Sequence, residues 1–284
     1  MQGMTVRLDR IQGSSWAPPG LSPPSLLEGY KRVKDSFVRC QTSKPTYARR
    51  REYRSKTDGK SVFWQYQRRQ GFLRPWKVNI YADDRKGLSY EDVAQILRFC
   101  HRWRFRSVEV AVDFAPPLGV NSEFVRKYAK FGKCKRRYDL EKHAKGMRYW
   151  GSRKGEKFVR CYDKHGLGIY RVEVQLNGGL LRGNGIFNLE HLVNLPDVVF
   201  PNHFQFVKVE WSGLRRFLVK KLGNDGRKLY VRSRNRFSSL ARLRRQLKKH
   251  GVVNIHRFLV PLRINKYTRR ALCEWARRFR KELK

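Results

Sequence analysis

Acidic residues are scarce: 23 Asp and Glu stand against 65 Lys and Arg in 284 residues, for a formal net charge of +42. A chain this cationic repels itself unless a polyanion offsets the charge, which makes nucleic acid the leading partner class. Long apolar runs are missing too. No segment approaches the ~20 apolar residues of a membrane-spanning helix, and the N-terminus lacks the apolar core of a secretory signal, so a cytoplasmic protein with no membrane partner is expected. The five cysteines (Cys40, Cys100, Cys134, Cys161 and Cys273) are odd in number and never in C-x-x-C spacing, which signals neither a zinc site nor a disulfide framework. The histidines never form a His-hydrophobic-His triplet and no glycine-rich phosphate loop occurs, which sets aside histidine-cluster metal endonucleases and ATP-driven chemistry.

What is present suffices for a core, since 40% of the residues are hydrophobic and 13% aromatic. Gly13-Ser14-Ser15, Pro18-Pro19-Gly20 and Pro23-Pro24 break the start of the chain, which reads as a flexible arm over 1–29. Arginines and aromatics interleave over 47–51, and strands are predicted over 61–66 and 76–81. Ser89 and Asp92 have capping-box spacing ahead of Val93, Ile96, Leu97 and Cys100, the clearest helix of the chain. A strand over 107–114 turns Val108, Val110 and Val112 one way and Glu109, Ala111 and Asp113 the other. Two acids on one face of an apolar strand must be compensated, either by a divalent cation or by water on an uncovered face. Asn121 caps a helix running to Phe131, and the basic run 133–145 reads as a phosphate-contacting loop. Gly178-Gly179 breaks the chain before a short helix over 188–195 and a strand over 203–211. From Arg216 onward there are 23 Lys and Arg against three Asp and Glu. This basic region, 216–284, is expected to be helical. One helix over 238–250 carries Arg242, Arg244, Arg245, Lys248 and Lys249 as candidate DNA contacts, and another over 268–283 presents Leu272, Trp275, Ala276 and Phe279.

The most informative stretch is 149–176. A Lys154-Gly155 turn joins two aromatic and β-branched runs, and a Val/Glu alternation follows, so a hairpin and a third strand are predicted. On extended backbone Arg160, Tyr162 and Lys164 share a face, as do Arg171, Glu173 and Gln175. Carboxylates from two strands (Glu109 and Asp113, then Glu173) supply the hard oxygen ligands of Mg²⁺ or Mn²⁺, and a tyrosine flanked by two cations is a candidate nucleophile for a phosphodiester. Neighbouring cations would have to favour its ionised form, since tyrosine titrates near ~10. A basic DNA-binding protein without catalysis shares the charge but does not need the acids to converge on Tyr162.

Glu109-Val-Ala-Val-Asp113, Gly151-Ser-Arg-Lys154 with Val159-Arg-Cys-Tyr-Asp-Lys164, and Arg171-Val-Glu-Val-Gln-Leu176 resemble, in order and spacing, the replication initiation factor family of rolling-circle initiators, which includes conjugative-transposon relaxases. The resemblance covers roughly residues 60 to 215. It implies an α+β catalytic domain over 30–215, an elaborated ferredoxin-like fold with an antiparallel sheet and helices on one face. It implies a bacterial host cell and a nick at an origin hairpin, made by Tyr162 with Arg160 and Lys164 beside it. It further implies a metal on Asp113, Glu173 and Glu109, and a 5′-phosphotyrosine that leaves a 3′ hydroxyl. Arg153, Lys154 and Arg171 are candidate DNA contacts, and a host helicase, a polymerase and a second copy of the chain are candidate partners.

Overall fold

The computed structural model describes residues 3–16, 24, 30–37, 49–57, 59–66, 76–82, 87–130, 136–138, 147–151, 153–164, 168–200 and 204–281. Pro18, Pro19 and Gly20 of the expected arm, Tyr47 and Ala48 of the basic-aromatic run, and all of the 133–145 loop except 136–138 lie outside them.

The chain is α+β. A ten-stranded antiparallel sheet is built from β1 (Met4–Ser15), β2 (Tyr30–Phe37), β3 (Arg49–Ser55), β4 (Ser61–Tyr66), β5 (Trp76–Tyr81), β6 (Arg104–Phe114), β8 (Arg136–Tyr138), β9 (Arg148–Gly151), β10 (Lys157–Lys164) and β11 (Ile169–Asn177). Their order is β2-β3-β4-β5-β1-β6-β11-β10-β9-β8. A smaller sheet joins β7 (Ala129–Lys130), β12 (Gln205–Val209) and β13 (Leu259–Pro261) in the order β13-β12-β7. Seven α-helices are found among the described residues: α1 (Tyr90–Leu97), α2 (Ser122–Tyr128), α3 (Gly178–Gly183), α4 (Leu195–Val199), α5 (Trp211–Asn235), α6 (Leu240–Lys248) and α7 (Ile264–Lys281). None is long and apolar enough to cross a membrane.

Local chemistry accounts for most of these elements. Ser89 Oγ accepts from the Asp92 amide while Asp92 Oδ2 accepts from the Ser89 amide, which closes the box that starts α1 and lets Val93 and Ile96 face the core. Asn121 caps α2, but the helix stops at Tyr128 because Ala129 turns extended to pair with β12. Gly178-Gly179, expected to break the chain, instead opens α3; a side chain on Gly178 would meet the Phe105 carbonyl at 2.7 Å. Part of the expected loop is strand β8, which edges the large sheet beside β9.

The largest correction concerns the N-terminus. Residues 4–15 are not an arm but the central strand β1, hydrogen-bonded to β5 on one side and β6 on the other. Leu8 and Ile11 are buried in the main core, which compensates for the weak strand propensity of Gly13-Ser14-Ser15. Gly13 is required there, since a Cβ would overlap the Trp103 ring at 2.1 Å.

The basic C-terminal region starts earlier than Arg216 and divides between two cores. Glu210 caps α5 by accepting from the Gly213 amide at 2.6 Å, and Gly223 (φ 57°) interrupts the helix. A Cβ on Gly226 would lie 2.0 Å from the Leu218 carbonyl oxygen, so the second half of α5 folds back closely on the first. Leu214, Leu218 and Leu229 join Leu240, Leu243 and Leu247 of α6 in a second core under β12 and β13. By contrast α7 rests on β1, with Leu272 and Phe279 in the main core.

Candidate active site

Valines of β6 and β11 point into the core: Val108, Val110, Val112, Val172 and Val174 are all fully buried. Alternation then commits the intervening side chains to the opposite face. Pairing sets Asp113 against Arg171, Ala111 against Glu173 and Glu109 against Gln175, while β10 sets Arg160 against Glu173 and Tyr162 against Arg171. One further device completes the face. The β1–β6 register slips between Leu8 and Arg10, and this bulge places the consecutive Asp9 and Arg10 on the same side, a displacement that alternation would forbid.

Four acids and four arginines result. Arg171 grips Asp113 through two bonds, Nε to Oδ1 at 2.6 Å and Nη2 to Oδ2 at 3.0 Å, and Arg7 donates to the same carboxylate. Arg10 Nη2 lies 2.7 Å from both Glu109 Oε2 and Gln175 Oε1. Arg160 Nη2 donates to Glu109 Oε1 at 2.5 Å and also pairs with Glu173. The Tyr162 hydroxyl donates to Glu173 Oε1. Glu109 and Glu173 are each 2% exposed, whereas Tyr162, Asp9, Arg10 and Arg160 form a partly open lip.

Burial and crowding decide the protonation states. Burial pushes Glu173 up to about 8, against the pull of Arg160 and with the help of the neighbouring Glu109 carboxylate. Burial alone would raise Glu109 as well, but Arg160 and Arg10 outweigh it and hold Glu109 below the usual carboxylate range. Asp9 is raised by burial, partly offset by Arg171. Tyr162 moves opposite to the expectation that cations would favour its ionised form: burial and the Glu173 carboxylate raise it, outweighing Arg171 and Arg160, so the phenol keeps its proton at rest.

The Glu173 shift predicts a pH dependence of stability. An acid raised above its ordinary 4.5 favours the fold fully below that value and loses that contribution as pH climbs through about 8. In urea titrations without divalent cations, wild type is expected to lose at least about 1 kcal/mol more than Glu173→Gln between pH 5 and 9, one pKa unit being worth ~1.4 kcal/mol. Parallel curves would refute the assignment.

Of the expected metal ligands, the structure brings Glu109 and Glu173 together with Asp9; oxygens from these three lie within 4.8 Å of one another. Asp113 is not in this group; its carboxylate is held apart from it by Arg171 and Arg7. Arg171, expected to contact DNA, is 1% exposed and spent on Asp113, so it positions rather than binds. Asp9, Arg7 and Arg10 were not anticipated. The signal was the alternation Val6-Arg7-Leu8-Asp9 ahead of the glycine and prolines. Nor are the paired acids of β6 compensated by water, for guanidinium groups neutralise them in a buried setting.

Among the other expected residues, Lys164 ends β10 on the Tyr162 side, and Arg153 and Lys154 lie exposed at the hairpin turn, with Arg153 5.5 Å from the Phe158 ring centroid. On α6 and its C-cap, Arg242, Arg245, Lys248 and Lys249 are exposed, but Arg244 turns inward, its Nε and Nη2 atoms buried without a hydrogen-bond partner among the described residues.

Neither a family model nor a curated protein matches the chain. Among solved structures, the rolling circle replication initiator protein from Geobacillus stearothermophilus is 12% identical, with 72% of this chain and 88% of that chain covered at a TM-score of 0.37.

Proposed function

We propose that the chain nicks and rejoins one strand of DNA at a specific sequence, starting rolling-circle replication of a plasmid or phage, with Tyr162 as the nucleophile. One observation carries this reading: the only tyrosine hydroxyl bonded to the acid cluster among the described residues sits at its partly open lip, on a chain of net charge +42. In the step, the Tyr162 oxygen bonds to phosphorus and the bond from phosphorus to the 3′ oxygen breaks. The phenolic proton passes to Glu173, and the departing 3′ oxygen takes up a proton from solvent water at the open lip to become a hydroxyl. Glu173 is placed to accept, since the Tyr162 hydroxyl already donates to its Oε1. Arg160, partly exposed on the same strand face, and Lys164 would neutralise the charge that builds on the phosphate. Rejoining reverses the step. A relaxase of a mobile element would use the same chemistry.

Three carboxylates within 4.8 Å are a donor set that fits Mg²⁺ or Mn²⁺, and two of them, Asp9 and Glu173, are raised as an acid lacking full compensation would be. Asp9, Glu109 and Glu173 would hold the ion, which would polarise the scissile phosphate. Millimolar Mn²⁺ is expected to raise the thermal midpoint of the wild type by about 3 °C or more, as ligand linkage requires, and that of Asp9→Asn by less than half as much. Equal shifts would remove Asp9 from the metal site.

A second reading has its own support: four arginines balance four acids, which would suit a structural ion-pair network in a protein that only binds DNA. Supercoiled origin plasmid with Mn²⁺ separates the two. A nickase converts it to open circles and yields a protein–DNA adduct that survives denaturation, whereas a binder gives only a salt-sensitive mobility shift.

A further inference from the structure

A cleft of about 560 Å³ between the second half of α5 and α6 is lined by cations and includes no residue of the Tyr162 site. Arg232 and the C-cap residue Arg236 enter it from α5, and Arg242, Arg245 and the C-cap residue Lys249 from α6. On α6 these three recur at i, i+3 and i+7, one stripe of the helix, while Leu240, Leu243 and Leu247 form the stripe that buries against α5. The apolar seam therefore holds two cationic faces together. Among the described residues no carboxylate lines the cleft, and none of the five cations forms an ion pair with a described acid; the only acid on α5 inside its caps is Asp225, which pairs with Lys228 at 4.0 Å. Like charges gathered this way destabilise the fold unless an anion enters, and helices elsewhere in the chain show that the alternative was available, as where Arg270 meets Glu274 at 3.1 Å.

We propose that the α5–α6 cleft binds the phosphodiester backbone of duplex DNA, as a second contact separate from the nicking centre. The lining explains the class of ligand. Among the described residues no Phe, Tyr or Trp faces the cleft, so it has no broad ring on which to stack an unpaired base; the remaining members, Gln246 and His250, are polar. Five cations without an aromatic stacking platform suit phosphates held in a fixed double-helical track. The positive surface also continues beyond the cleft across α5, where Arg227 and Lys228 border a shallower depression shared with Arg232 and Arg236. This continuation is longer than one phosphate needs and matches a polymer. The site divides the basic residues of α6: the stripe of Arg242, Arg245 and Lys249 belongs to it, whereas Arg244 turns into the fold.

The test is fluorescence anisotropy with a labelled 20-base-pair duplex of arbitrary sequence, in the Tyr162→Phe background and without metal, so that no cutting enters. Arg232→Gln/Arg236→Gln is expected to weaken binding more than tenfold at moderate salt and to lower the slope of log affinity against log salt by about two, close to one for each phosphate no longer neutralised. A control that removes the same charge from exposed positions on α7, Arg277→Gln/Arg278→Gln, is expected to change affinity less than about threefold. Equal losses in the two double variants would overturn the cleft, leaving only a diffuse charge effect. A single strand of the same length losing as much affinity as the duplex would overturn the duplex assignment. Full protection by millimolar inorganic phosphate against duplex binding would overturn the polymer assignment in favour of a small-anion site. Failure of the wild type to nick plasmid would sink the nicking reading and leave this result standing.

Discussion

Tyr162→Phe is expected to lower nicking of supercoiled origin plasmid by at least about a thousandfold, abolish the denaturation-resistant adduct, and leave duplex affinity within about twofold of wild type. The size of the effect follows from the role: without the phenolic oxygen no bond to phosphorus can form, and no second tyrosine hydroxyl bonds to the acid cluster among the described residues. The substitution is also structurally gentle. Tyr162 is half-buried, its ring remains, and the single lost bond leaves Glu173 still paired with Arg160, at a cost of about 1 kcal/mol. Circular dichroism and the thermal midpoint should therefore be nearly unchanged. Nicking retained at a tenth of wild type or better would show that another group attacks and that the tyrosine merely orients Glu173. Glu173→Gln separates these roles, since it keeps a hydrogen-bond acceptor for Tyr162 but cannot take its proton.

The parts of this site that were legible in the sequence are those whose strands follow an unbroken period of two. Glu109 and Asp113 on β6, Tyr162 on β10 and Glu173 on β11 fall on one face by parity alone, and register then brings them together. Asp9 and Arg10 could not be reached that way, because a bulge places neighbours on one side and the strand ends in residues that ordinarily break strands. Their local propensity was overridden by tertiary packing: Leu8 and Ile11 bury fully and Trp103 lies on Gly13. Long α5 was covered only by the general expectation that 216–284 is helical, without bounds of its own, for a related reason. Its buried positions Leu214, Leu218 and Leu229 lose helical spacing across Gly223, and the rest of the helix is mostly polar or charged, so no apolar stripe marks it. The compensation of the β6 acids was hidden as well, since four arginines from three other strands have to be placed before their pairing is visible.

Arg171→Met is expected to destabilise the fold by about 3 to 5 kcal/mol, a large share of the ~5 to 15 kcal/mol typical of a whole domain. Its guanidinium is 1% exposed and makes two bonds to Asp113, itself 4% exposed, so removing it leaves a buried carboxylate with Arg7 as its remaining counter-charge among the described residues. The penalty belongs to the stranded charge more than to the lost attraction, which gives the prediction its signature. Asp113→Asn alone should also destabilise, by stranding the arginine, but Arg171→Met/Asp113→Asn should be more stable than Arg171→Met, with a coupling of about 2 kcal/mol in a double-mutant cycle. Additive losses would mean that water reaches the pair, and the buried network could not then fix the lip where Tyr162 meets Glu173. A strong coupling would mean that Asp113 and Arg171 act as the rigid floor of the site: the carboxylate first expected to hold metal serves instead to hold the strand from which Glu173 projects.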